Sequence, residues 1–288
     1  MILLTGATGT TGGDVVKELA GAGRRDVRVM VRDTKKAGAL GAHGFEVGSG
    51  DFDDAASLDA ALAGVETALL LPPPDPQMVE RQSRFIAAAR RAGVGRIVKL
   101  SAFGADASAA EGFARWHGLS EDELRASGLA WTILRPNFFM QNMLNSAHSI
   151  REQGVFYQPV GDARASFVDT RDVAAVTARV LTEDAHEGQT YILTGAEALS
   201  YQDVAERLSQ ATGRTISYVG ISPEQFRAGA LDAGLPAWLV DALERLNQTF
   251  ASGAAAVVTD AVRVLTKREP LTFADFARDY AQAFGAGA

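Results

Sequence analysis

Thr5-Gly6-Ala7-Thr8-Gly9-Thr10-Thr11-Gly12-Gly13 constrains this chain more than any other stretch. An apolar run, Met1-Ile2-Leu3-Leu4, precedes it. A helical pattern follows, with Val15, Val16, Leu19 and Ala20 on one face. Strand, glycine turn and helix in that order make a phosphate site. The glycines let the backbone approach a pyrophosphate, and the unpaired N–H groups of the helix start face its charge. The spacing is Gly-x-x-Gly-x-x-Gly (Gly6, Gly9, Gly12) rather than the tighter Gly-x-Gly-x-x-Gly. Thr8, Thr10 and Thr11 stand between the glycines and join them as candidate cofactor contacts. The competing reading is a glycine turn that only packs a helix closely on a sheet.

Strand and helix patterns alternate through the first half. Strands are expected at Ile2–Thr5, Val27–Val31, Phe45–Gly48, Thr67–Leu71, Arg96–Ser101 and Ala130–Arg135, and helices near Gly12–Ala22, Ala55–Leu62, Met78–Ala92 and Ala109–Ser127. Repeated units of this kind predict an α/β fold, a doubly wound parallel sheet covered on both faces. Its ligand loops lie at the C-terminal strand ends. From about Phe138 the pattern loosens into a smaller, mostly helical C-terminal lobe. Helices are expected near Met140–Gln153, Arg171–Leu181, Tyr201–Thr212, Pro223–Ala233, Trp238–Ala251 and Phe273–Phe284. The expected division is a nucleotide domain over residues 1–137 and a substrate-side lobe over 138–288, with segments of the lobe returning to the sheet.

The 288 residues are 47% hydrophobic, enough for a sizeable core, and carry no apolar run long enough to span a bilayer. The glycine motif begins at once, without the basic flank and apolar stretch of a signal peptide, so a cytoplasmic protein is expected. Cysteine is absent, which excludes disulfides and thiolate chemistry. A net charge of −7 and the lack of a basic helix disfavour nucleic acid as a partner.

In dinucleotide folds an acid about 20 residues past the glycines takes the ribose 2′-hydroxyl. Here the matching strand end reads Val31-Arg32-Asp33. A guanidinium there can pair with a 2′-phosphate, so NADP(H) is favoured over NAD(H). Asp33 opposes that reading, and Lys35 and Lys36 add positive charge beyond it. Asp51, in Gly50-Asp51-Phe52-Asp53, lies at the correct sheet end to bond an adenine amino group, or else shapes the turn while Asp53 or Asp54 caps the next helix. Phe52 lies beside it. Leu71-Pro72-Pro73-Pro74 offers a stiff wall for the cofactor ribose, or merely shapes a turn.

These residues resemble the NmrA-like branch of the atypical short-chain dehydrogenases/reductases. Thr5–Gly13, Val31-Arg32-Asp33, Gly50–Asp53, Arg96–Ser101, the stretch Leu124–Asn137 and the tail Val257–Asp260 with Pro270–Phe273 carry the likeness, which spans nearly the whole chain. The pattern is similar to that of bacterial quinone reductases and triphenylmethane-dye reductases of this branch. The resemblance implies a Rossmann-type fold and NADP(H) use, and leaves the substrate open.

Most short-chain dehydrogenases use Tyr-x-x-x-Lys. None of Tyr157, Tyr191, Tyr201, Tyr218 and Tyr280 has a Lys four residues on. His117 instead holds the place of an active-site Lys in related isoflavone- and phenylcoumaran-type reductases. As a neutral imidazole it can bond a nicotinamide ribose or a substrate oxygen, and as an imidazolium it can donate a proton. Glu121, four residues on, is expected to orient it and favour its charged form; the alternative is an ordinary exposed helix pair. Ser101, closing the fifth strand, can bond the ribose or the substrate, or cap its turn. Asn137 and Phe138 are expected at the ligand end beside the cofactor. Phe138, Phe139, Met140, Gln141, Phe156 and Phe167 are the candidate acceptor pocket. No His spacing suggests a metal.

The reading that follows is an NADPH-dependent reductase passing hydride to a small apolar carbonyl, quinone-like or dye-like acceptor, as monomer or homodimer. A redox-sensing regulator that binds NADP(H) without turnover and a secondary-metabolism ketone reductase or isomerase are the alternatives.

Overall fold

A computed structural model describes residues 1–34 and 38–285. In chain order the elements are β1 (Ile2–Leu4), α1 (Thr10–Gly21), β2 (Val27–Val31), α2 (Gly38–Gly41), β3 (Glu46–Ser49), α3 (Ala55–Leu62), β4 (Thr67–Leu70), α4 (Met78–Ala92), β5 (Arg96–Leu100), α5 (Phe113–Ala126) and β6 (Ala130–Pro136). Next come α6 (Ala147–Gln153), β7 (Val155–Gln158), β8 (Arg164–Ala165), α7 (Thr170–Thr182), β9 (Gln189–Leu193) and β10 (Leu199–Ser200). The chain ends with α8 (Tyr201–Thr212), β11 (Ser217–Gly220), α9 (Pro223–Asp232), α10 (Ala237–Ala251), α11 (Ala261–Thr266) and α12 (Phe273–Asp279). The chain separates into two compact units: Met1–Arg135 with Val173–Ile192, and Pro136–Asp172 with the chain from Leu193 onward.

The first unit is built on a seven-stranded sheet of order β3-β2-β1-β4-β5-β6-β9. Ile2 pairs with Val27 on one side and Thr67 on the other, both parallel. Strands buried on both faces need near-continuous apolar runs, which is why Ile2–Leu4 and Thr67–Leu70 read as they do. Leu3, Met30, Leu70, Phe85, Ile97 and Ile133 form one buried cluster, with Phe52 tilted against Phe85 at 5.7 Å between ring centres. Asp54 caps α3 by accepting from the Ala56 and Ser57 N–H groups, and Gly93 ends α4 at φ 72°. The returning segment is tied in by Arg96, which donates to the Glu183 and Leu181 carbonyls, and by Thr132, which donates to the His186 carbonyl.

The second unit holds two small sheets, β7 parallel to β11 and β8 antiparallel to β10. Its interior is aromatic. Tyr201 stacks on Phe250 at 5.1 Å, Phe156 lies 5.7 Å from both Tyr201 and Tyr218, and Phe167 touches Phe250 and Phe273. Reciprocal capping boxes start α8 (Ser200 with Asp203), α9 (Ser222 with Gln225) and α12 (Thr272 with Asp275).

Three expected helices are shorter than the pattern suggests. The helix expected from Ala109 begins at Phe113, because the Asp106 carboxylate takes the Ser108 N–H into a turn and Gly112 sits at φ 127°. Met140–Ser146 is a 3-10 turn, and α-helix starts only at Ala147. The C-terminal helix breaks after Asp279 and resumes as a 3-10 turn at Ala281–Phe284.

Candidate functional site

A cleft of about 680 Å³ opens in the first unit at the C-terminal ends of β1, β2, β3 and β4. Gly6, Thr8, Gly9, Thr10, Thr11 and Gly12 form one wall, Arg32 and Asp33 with Asp51 and Phe52 another, and Leu71 with Pro72, Pro73 and Pro74 a third. Thr5 joins the first and third walls. Its hydroxyl donates to the Leu69 carbonyl and accepts the Leu71 N–H, each at 2.8 Å.

The glycines do different jobs. Gly6 turns at φ 68°, and a Cβ on Gly12 would lie 2.1 Å from the Gly6 carbonyl oxygen, so these two are demanded by the turn itself. Gly9 is not: a Cβ there would meet nothing nearer than 3.5 Å. Gly9 is also the N-cap of α1 and no side chain caps that helix. The first amides of α1 thus face the cleft without an internal acceptor, where a phosphate can take them. Arg32 is exposed on the neighbouring wall. Asp51 holds its own turn: Oδ1 accepts the Asp53 N–H at 3.0 Å, and its N–H donates to Ser57. Lys35 and Lys36 lie outside the described residues.

A second polar cluster lies deeper in this unit. Lys99 on β5 is fully buried; its Nζ donates to Gln82 Oε1 and stands 3.3 Å from His117 Nδ1. Burial pushes the lysine down to about 7, with Glu121 opposing the shift and Arg135 adding to it. Beside it, buried Glu121 accepts from Arg135 at 2.9 and 2.6 Å, from Arg125 at 2.8 Å and from the Ser101 hydroxyl at 2.5 Å. The hydrogen bonds from Arg135 and Ser101, with the charges of Arg135 and Arg125, outweigh burial and hold its carboxyl below the usual range.

This corrects the expected His117–Glu121 pair. The carboxylate is saturated by two guanidiniums and a hydroxyl, and the ring nitrogen faces a lysine instead. Burial, then the Lys99 and Arg135 charges, hold His117 well below the ordinary imidazole range, so the charged form expected from Glu121 is disfavoured. Ser101 is buried with its proton committed to Glu121. Neither Ser101 nor His117 lines the cleft. Lys99, Gln82 and Arg135 were not singled out from sequence. A lysine amid Ile97-Val98-Lys99-Leu100 was the available signal, because a charge in a buried strand requires partners.

The remaining candidates lie in the second unit. Asn137 is buried and fully engaged: Nδ2 donates to Ser166 Oγ and the Ala255 carbonyl, and Oδ1 accepts the Phe138 N–H. Gln141 is likewise bound to Asp169 and the Thr170 N–H. Met140, Phe156 and Phe167 are core residues at 2%, 0% and 3% exposure. Phe138 and Phe139 alone of the six acceptor candidates are half-open, Phe138 resting edge-on against Phe250.

The family model of the NmrA-like family matches residues 1–276. The chain belongs to that family. It is 41% identical to an NAD(P)H azoreductase of Xenophilus azovorans, over 99% of this chain and all of that protein. Among solved structures, an NADPH-dependent quinone oxidoreductase from Escherichia coli complexed with NADPH superposes with a TM-score of 0.90 at 32% identity, covering 97% of this chain and 99% of that one. The Citrobacter sp. triphenylmethane reductase complexed with NADP(H) gives 0.87 at 25% identity, covering 98% and all of the two chains. In this NmrA-like chain the cleft residues fit a dinucleotide on their own geometry: open Gly9, an uncapped α1 and a guanidinium at the next strand end. Among the described residues no cluster could hold a metal ion, and no helix is long and apolar enough to cross a membrane.

Proposed function

We propose that this protein is an NADPH-dependent oxidoreductase that reduces a small apolar carbonyl, quinone-like or dye-like acceptor. The open turn at Gly9 carries the reading. It leaves a helix N-terminus uncapped inside a cleft, beside an exposed arginine suited to a 2′-phosphate. The whole-length likeness to azo- and quinone-reducing relatives supports it.

The α1 amides would hold the pyrophosphate, Arg32 the 2′-phosphate, and the Leu71–Pro73 wall the ribose. The nicotinamide, when bound, supplies the hydride. The protein positions the acceptor and excludes water. Phe138 and Phe139 are our candidates for stacking a flat acceptor. A quinone can take its proton from solvent, which removes the need for a Tyr-x-x-x-Lys pair, and His117 serves as hydrogen-bond donor. Ser101 and Glu121 act behind it, fixing Arg135 and the end of β5. We place the protein in the cytoplasm, as monomer or homodimer. Purified protein given NADPH and a panel of quinones and azo dyes should oxidise the nucleotide. Tight NADPH binding without turnover of any acceptor would contradict the reading.

A further inference from the structure

The buried polar chain behind His117 has a direction that its atoms impose. The Trp116 carbonyl can only accept, and it takes the Ser120 hydroxyl proton at 2.9 Å. Ser120 Oγ must therefore accept from Gln82 Nε2, at 2.9 Å. That turns Gln82 Oε1 toward Lys99, whose Nζ donates to it. While Lys99 holds its proton it has donors only, so the Nζ–His117 contact at 3.3 Å makes Nδ1 the acceptor. The ring proton is then left on Nε2. Lys99, Gln82 and Ser120 are all fully buried, while His117 keeps part of its surface open.

We propose that Lys99 is a positioning residue that holds His117 as a neutral imidazole with its proton on Nε2, so that His117 meets a ligand oxygen as a hydrogen-bond donor rather than an imidazolium acid. The ligand half of this rests on the reductase reading above; the tautomer does not. The groups packed around the pair agree with it. From α4 comes neutral Gln82. From α5 comes Glu121, whose carboxylate is already clamped by Arg135, Arg125 and Ser101. From β6 comes the Arg135 charge, which after burial and Lys99 opposes the imidazolium form of the ring. Glu121 is thereby unable to charge the ring, although it lies one helical turn away.

Nitrogen NMR on the full chain with labelled histidine reads the tautomer directly. His117 is assigned among His43, His117, His148 and His186 by the signal lost in His117→Gln. We expect a neutral Nε2–H ring from about pH 5.5 to about pH 6.5, where Lys99 still holds its proton and an ordinary histidine would carry much of its charge. In Lys99→Met the Nδ1–H form should appear. Gln82→Leu, which keeps the lysine but removes the acceptor that aims it, should give a mixture and covers the case in which Lys99→Met does not fold. An Nδ1–H or imidazolium ring in the wild type, or an unchanged ring in a folded variant, would overturn the proposal. In turnover with NADPH and a quinone, Lys99→Met should lower kcat about tenfold with KM for NADPH changed less than about threefold; an unchanged kcat would overturn the ligand half. A wild type with the Nε2–H ring but no turnover would support the positioning role and sink the reductase reading instead.

Discussion

At the scale of single residues, two glycines three positions apart separate packing from binding. Gly12→Ala forces a Cβ to 2.1 Å from the Gly6 carbonyl oxygen, so the turn must move. Overpacking of that kind costs about 1–3 kcal/mol, and the thermal midpoint should fall accordingly. Gly9→Ala meets only the Gly6 carbonyl oxygen, at an ordinary contact distance of 3.5 Å, and has an ordinary φ of −86°. It should melt like the wild type yet bind NADPH at least about tenfold more weakly, because the methyl group occupies the phosphate's approach. A stable Gly9→Ala with unchanged affinity would mean that the cleft is not a phosphate site. Arg32→Ala should weaken NADPH by about ten- to a hundredfold and NADH far less, since one charge-assisted contact contributes about 1.5–3 kcal/mol. Equal losses by titration would remove Arg32 from the 2′-phosphate.

At the scale of elements, β5 carries the main liability of the fold. Lys99 is pushed from its ordinary 10.5 to about 7 in the folded state. Between those values the unfolded chain holds the proton and the folded one releases it. Stability must therefore rise with pH across that window, by at most about 1.4 kcal/mol per pH unit from this group, and stay flat below it. Urea melts from about pH 7 to about pH 9.5 should show this rise in the wild type and not in Lys99→Met. Parallel slopes would mean that the lysine keeps its charge when folded. The strands themselves were legible because burial on both faces demands apolar runs, and α8 was expected over Tyr201–Thr212, the bounds it has. The cluster around Lys99 was not. Its members come from β5, α4, α5 and β6, and no periodicity states which side chains of four separated elements converge. Glu121 shows the failure best: four residues from His117 it resembles a helical partner, but Arg135 from a different strand takes it. Aromatic residues misled in the same way. Phe156 and Phe167 suit an acceptor pocket by type, and sequence cannot tell a pocket wall from a core.

At the scale of the whole molecule, the first unit is discontinuous in sequence. Helix and strand patterns near Arg171–Leu181 and Thr190–Leu193 are readable, but their place in the sheet is set by contacts such as Arg96 to Glu183 and Thr132 to His186. A fragment ending at Arg135 lacks β9 and leaves the β6 edge and the Arg96 guanidinium without these partners. It should fail to melt cooperatively by circular dichroism; a sharp transition would show that the returning segment is dispensable. The cleft, in contrast, is assembled within the first 81 residues, from Gly6 to Arg81, and its N-terminal wall was the clearest signal in the sequence. Calorimetric titration of the intact protein with NADPH, and then with NADH, tests the account most directly. It predicts a saturable one-to-one heat with NADPH and at least about tenfold weaker binding of NADH; no heat with either dinucleotide would contradict it.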